Sequence, residues 1–130
     1  MKNLKVSKGI EIPCNERTFY RKWLSFLTPL HKFTPQVTTI AAELLRHREE
    51  LSKVIKDENI LSKVLLSQDI REQILKDCKV TLSTFRVTVN KLKKAGFLVD
   101  GKINSRFIPN VKPNEDFNLL LMFKFKNDSR

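Results

Sequence analysis

Apolar positions recur every three or four residues through most of this chain and switch to alternation after Gly96. The first helical stretch covers residues 16–28, where Phe19, Trp23, Phe26 and Leu27 share one face and Arg17, Arg21 and Lys22 lie elsewhere. An aromatic stripe at this spacing reads as core, and Pro29 is expected to end the helix. Thr34 and Pro35 open the next one: threonine can cap the free N–H groups, and proline at the first helical position loses nothing by lacking its own. Val37, Ile40, Ala41, Leu44 and Leu45 form its buried stripe, continued by Leu51, Val54 and Ile55, for about 20 residues of helix. Asp57-Glu58-Asn59 marks a break, and Ile60 to Leu66 is either one or two helical turns or a short strand.

Ser67 is placed to cap a helix from Gln68 to Lys79, with Asp69 near its positive end and Ile74, Leu75 and Cys78 as its apolar stripe. After a short turn, Thr81 caps a second helix in which Phe85, Val89 and Leu92 share a face. Lys91, Lys93 and Lys94 crowd its last turn, the end that favours cations, and Gly96 sits where a left-handed residue would stop it. Phe97-Leu98-Val99 then reads as a strand, Asp100-Gly101 as a two-residue hairpin turn, and Lys102 to Ile108 as the returning partner. A polar loop at 109–116 leads to a third strand at 117–126, apolar on both faces, which must be covered on both sides or exposed at an interface. The reading is one domain over residues 16–126, preceded by a basic arm at 1–15 and followed by a frayed end at 127–130.

The helix, turn, helix and glycine exit between Gln73 and Phe97 resemble the winged helix-turn-helix domains of bacterial and phage regulators and of plasmid or phage replication initiators. The pattern rests on apolar Ile74 and Cys78, a short residue at Thr81, apolar Phe85, Val89 and Leu92, and the exit Lys94, Gly96, Phe97. It covers about 25 of the 130 residues. Many members carry glycine where this chain has Lys79, so the turn is either wider here or Lys79 adopts a positive φ. The resemblance implies an α+β, mainly α fold: a winged helix-turn-helix with an additional N-terminal amphipathic helix and a small antiparallel sheet. The wing would be Asp100–Gly101 or the loop at Asn110 to Glu115. Small phage proteins of this build are the other likeness.

Charge gives this fold a direction. The formal net charge is +11, unevenly spread. Residues 34–66 are balanced, with five basic and five acidic side chains, whereas residues 79–106 hold seven basic residues against Asp100 alone. Residues 1–33 carry seven basic against two acidic. Positive charge clustered at a candidate recognition helix is the footprint of a polyanion binder. Cys14 and Cys78 have no spacing partner and read as free thiols, and with His31 and His47 they lack the paired spacing of a metal site. The N-terminus lacks the apolar core of a signal peptide, and no apolar run approaches a membrane span. The expected location is the cytoplasm, that of a host or a virion interior if the chain is phage-encoded.

No phosphate loop, ligand pair or nucleophile with a base is visible, so the reading is a non-enzyme without metal or cofactor. The expected partner is nucleic acid, most simply double-stranded DNA, with residues 82–95 in the major groove. Arg86 would donate to guanine and Asn90 pair with adenine. Ser83 and Thr84 would meet phosphate. Lys79, Lys91 and Lys94 would neutralise phosphates, and Lys102 and Arg106 would touch the flanking backbone. Val87 would meet thymine methyl groups or, with Leu82 and the strand at 117–125, a homodimer or another protein. That last option defines the alternative, a non-catalytic interaction or virion structural protein on a winged-helix module.

Overall fold

The computed structural model describes residues 9–109, 115–118 and 125 of the chain. Six helices are followed by a small hairpin: α1 (Phe19–Phe26), α2 (Thr28–His31), α3 (Pro35–Ser52), α4 (Glu58–Leu65), α5 (Gln68–Cys78), α6 (Leu82–Lys94), β1 (Leu98–Val99), β2 (Lys102–Ile103) and a 3₁₀ turn (Ser105–Phe107). The described residues are therefore mainly helical with a two-stranded antiparallel sheet, Leu98 facing Ile103 and Val99 facing Lys102. None of the described helices is long and apolar enough to cross a membrane. The basic arm, most of the Asn110–Glu115 loop and most of the 117–126 stretch lie outside the described residues; Phe117, Asn118 and Phe125 belong to no strand.

Helix α3 is the hub, in contact with α1, α4, α5 and α6. Its start follows the expected chemistry, with Thr34 Oγ1 accepting the Val37 N–H at 3.3 Å and Pro35 in the first turn. Val37, Ile40, Ala41, Leu44 and Leu45 are buried, and so are Thr38, Ala42 and His47. Burial around more than one side is what a helix enclosed by several neighbours requires. The stripe stops short of its expected end: Val54 is 79% exposed, because α3 ends at Ser52 and the helical phase no longer governs where Val54 points.

Several boundaries differ from the sequence reading. Pro29 does not end a helix but sits in the first turn of α2. The break comes at Leu27, and Phe26, at the last position of α1, is exposed rather than core. Phe19 and Trp23 do serve the core. Phe117 meets both edge-on, with ring centroids 5.7 and 6.5 Å away. Trp23 Nε1 donates to the Phe107 carbonyl at 2.8 Å, tying α1 to the 3₁₀ turn. Asp57 begins α4 rather than merely breaking the chain, its carboxylate accepting the Asn59 and Ile60 N–H groups at 2.9 and 3.1 Å. Ser67 occupies the N-cap of α5 without a side-chain capping bond, and α5 ends at Cys78.

The return strand expected over 102–108 is two residues long. Asn104 ends it. Its side chain donates to the Gly96 carbonyl at 3.0 Å and accepts the Arg106 N–H at 3.1 Å, a local arrangement that competes with a sheet ladder. The 3₁₀ turn then directs Phe107 inward onto Phe97 (5.3 Å between centroids) and Phe33 (6.2 Å).

His47 carries a pH dependence. It is buried, with a ring nitrogen 3.4 Å from Arg46 Nη2. Burial foremost, then the Arg46 charge, lowers its pKa below the ordinary 6.5, against the opposing pull of Glu43, Asp77 and Glu50. The unfolded chain therefore takes up this proton first as pH falls. The contribution to stability is complete above about pH 6.5 and is lost as pH drops towards the lower folded value. His47→Gln is expected to flatten the stability profile between about pH 5 and 7. Thermal melts of both proteins across that range check this, and parallel profiles would assign the acid sensitivity elsewhere.

Candidate nucleic-acid interface

The turn between α5 and α6 is set by Lys79. Its φ of 55° and ψ of 46° are left-handed. The Lys79 and Val80 N–H groups both donate to the Leu75 carbonyl, closing α5 through a left-handed residue and delivering half-buried Val80 to the core. Of the two alternatives for this turn, the positive φ is the one adopted. A lysine there carries a conformational cost of about 1–2 kcal/mol that glycine avoids. Lys79→Gly is thus expected to raise stability by about 1 kcal/mol in denaturant titrations. A drop in stability would mean that the lysine stem contributes packing that outweighs the backbone cost.

Helix α6 begins as expected, Thr81 Oγ1 accepting the Thr84 N–H at 3.2 Å. It closes through Gly96 at φ 80°, whose successor Phe97 donates to the Leu92 carbonyl and is fully buried. Both helices thus end in a left-handed residue followed by an apolar anchor. Phe85 and Leu92 are buried and Val89 half-buried against the core. Thr88 is buried too, its hydroxyl donating to the Thr84 carbonyl at 2.8 Å.

The opposite side of α6 is open. At about 100° per residue, Ser83, Val87, Asn90 and Lys94 form a single column, and all four are exposed. Arg86 and Lys93 run along one flank of that column and Lys91 along the other, also exposed. Lys93, to which the sequence assigns no contact, lies two turns after Arg86 and so on the same flank. Thr84 is the member that does not fit: it is half-buried, and its hydroxyl accepts from Thr81 at 3.1 Å as part of the helix start. Leu82, expected to face outward, is half-buried. Lys79 is exposed at the N-terminal approach to α6. Lys102 is half-buried on β2, and Arg106 is exposed in the 3₁₀ turn with its guanidinium 5.7 Å from the Phe107 ring centre.

Ion pairing separates this region from the rest of the surface. The pairs among the described residues are Arg46 with Glu43 and Asp77, Arg48 with Glu58, and Lys53 with Glu50. None involves a cation between Lys79 and Arg106, so that charge is not neutralised locally by described residues. The two thiols are unpaired, Cys14 exposed and Cys78 half-buried, and burial pushes the Cys78 thiol pKa up. Comparison with protein-family models, curated proteins and solved structures found no match to this chain.

Proposed function

We propose that this chain is a winged helix-turn-helix protein that binds double-stranded DNA, with α6 as its major-groove helix. The observation that carries the reading is the two-sidedness of α6. Phe85, Thr88 and Leu92 are buried, while Arg86, Asn90, Lys91, Lys93 and Lys94 are exposed and absent from every ion pair among the described residues. A helix held by one side with unpaired donors on the other offers both phosphate neutralisation and base-edge contacts. Asp100–Gly101, with φ of 54° and 76°, is a tight hairpin tip.

Mobility-shift titrations at several salt concentrations test the proposal. Contact with four to six phosphates gives a log-log slope of about −4 to −5. Affinity indifferent to salt, or absent at low salt, would reject DNA binding. The second reading, a protein-interaction or virion structural module, draws on exposed Val54, Ile60 and Leu66 around α4. It requires that the chain's interactions survive alanine replacement on α6 and fail on replacement of those three.

A further inference from the structure

Val87 is the only exposed apolar side chain on α6; Leu82 and Val89 are half-buried, and Phe85 and Leu92 are buried. It is 54% exposed in the middle of the outward column, with Ser83 one turn before and Asn90 and Lys94 after it. A lone surface valine is common. Its setting distinguishes this one. It belongs neither to the buried core nor to the partly buried residues packed against it, a β-branched residue is a poorer helix former than lysine or glutamate, and every other exposed neighbour on this face is polar or cationic. The cationic surround is complementary to a polyanion rather than to an apolar protein surface. The apolar feature a polyanionic duplex does offer in its major groove is the thymine 5-methyl group.

We propose that this face selects A·T pairs, with Asn90 taking the adenine edge and Val87 packing on a thymine methyl of the same or the adjoining pair. The inference rests on the DNA-binding reading and sharpens it to a ligand class. Asn90 carries an amide that can donate and accept together, the pattern adenine presents through its 6-amino group and N7. Residues three apart on a helix have Cβ atoms roughly 5–6 Å apart. Adjoining base pairs are separated by about 3.4 Å along the axis, so the two side chains are spaced for one A·T pair or two neighbours. Guanine–cytosine pairs lack the methyl and present a second acceptor where adenine offers its amino donor.

The test uses the full chain and three duplexes of equal length that all keep one fixed guanine for Arg86 and differ only in the remaining pairs: A·T, the same duplex with deoxyuridine in place of thymidine, and G·C. The expected order is A·T tightest, the deoxyuridine duplex weaker by about fourfold per contacted methyl (about 0.8 kcal/mol), and G·C weaker by about tenfold or more. Val87→Ala should bind the thymidine and deoxyuridine duplexes alike, while Asn90→Ala should keep the thymidine-over-deoxyuridine difference and lose the rest of the preference for A·T over G·C. Val87 is exposed, so melting temperatures of the variant and the native protein should agree, which removes misfolding as a cause. Equal native affinity for the first two duplexes, or discrimination that persists in Val87→Ala, overturns this inference. If binding is nonetheless salt-dependent, DNA binding itself survives. If no duplex is retained at low salt, both fall together.

Discussion

Phe97→Ala is expected to destabilise the fold by about 3–5 kcal/mol, the usual cost of removing a fully buried phenyl ring. Phe97 is 0% exposed, with its ring centre 5.3 Å from that of Phe107 and 6.0 Å from that of Phe33. Its backbone is equally committed: its N–H donates to Leu92 at 3.0 Å, and its carbonyl accepts from Asn104 at 2.8 Å. The residue therefore joins the end of α6, the hairpin and the aromatic cluster. Total stabilities of domains this size are about 5–15 kcal/mol, so the variant should approach the edge of folding. Urea titration checks this, with exposed Val99→Ala as a control expected within about 0.5 kcal/mol of the native protein. A loss below about 1 kcal/mol for Phe97→Ala would show that the site repacks freely, against the tight clustering of its neighbours.

The second large effect concerns α6. Arg86→Ala is expected to relax sequence preference by about 1–3 kcal/mol, because a guanidinium can make two directed bonds to a guanine edge. Lys94→Ala should instead weaken all duplexes alike and reduce the salt slope by about one, the behaviour of a phosphate contact. Both side chains are exposed, so neither change should move the unfolding midpoint appreciably. The contrast is measured by comparing salt-dependent affinities for a selected site and for unrelated duplex. If the double variant Arg86→Ala, Lys94→Ala retains DNA as the native chain does, α6 is not the groove helix.

The helices were legible where local chemistry and periodicity agreed. Thr34, Thr81 and Gly96 take the capping roles read from their residue types, the stripe from Val37 to Leu45 is buried, and in that of α6 Phe85 and Leu92 are buried and Val89 half-buried. Less legible were the places where one residue type serves two structures. Pro29 reads as a terminator but starts α2, because the first turn of a helix leaves free the N–H that proline lacks. Asp57 likewise reads as loop and acts as a cap. Asn104 carries no periodic signal, yet its side chain ends the hairpin. On the α6 face, exposure of Ser83, Arg86, Val87, Asn90, Lys91 and Lys94 followed from the wheel. Thr84 and Leu82 did not, since their surroundings depend on how the helix start packs.

What the amino-acid order determined alone is local: the helix starts at Thr34 and Thr81, the stop at Gly96, the stripes of α3 from Val37 to Leu45 and of α6, the Asp100–Gly101 turn, and the concentration of positive charge after Lys79. These depend on interactions within a few residues, where backbone sterics and side-chain caps outweigh distant contacts. Tertiary structure decided the choice of α3 as hub, the left-handed conformation of Lys79, the diversion of 105–107 into a 3₁₀ turn, and the reach of Trp23 to Phe107. Each of those settles competition between locally similar conformations, and the winner is the one that delivers an apolar side chain to a cavity or a polar atom to a partner far away in the chain.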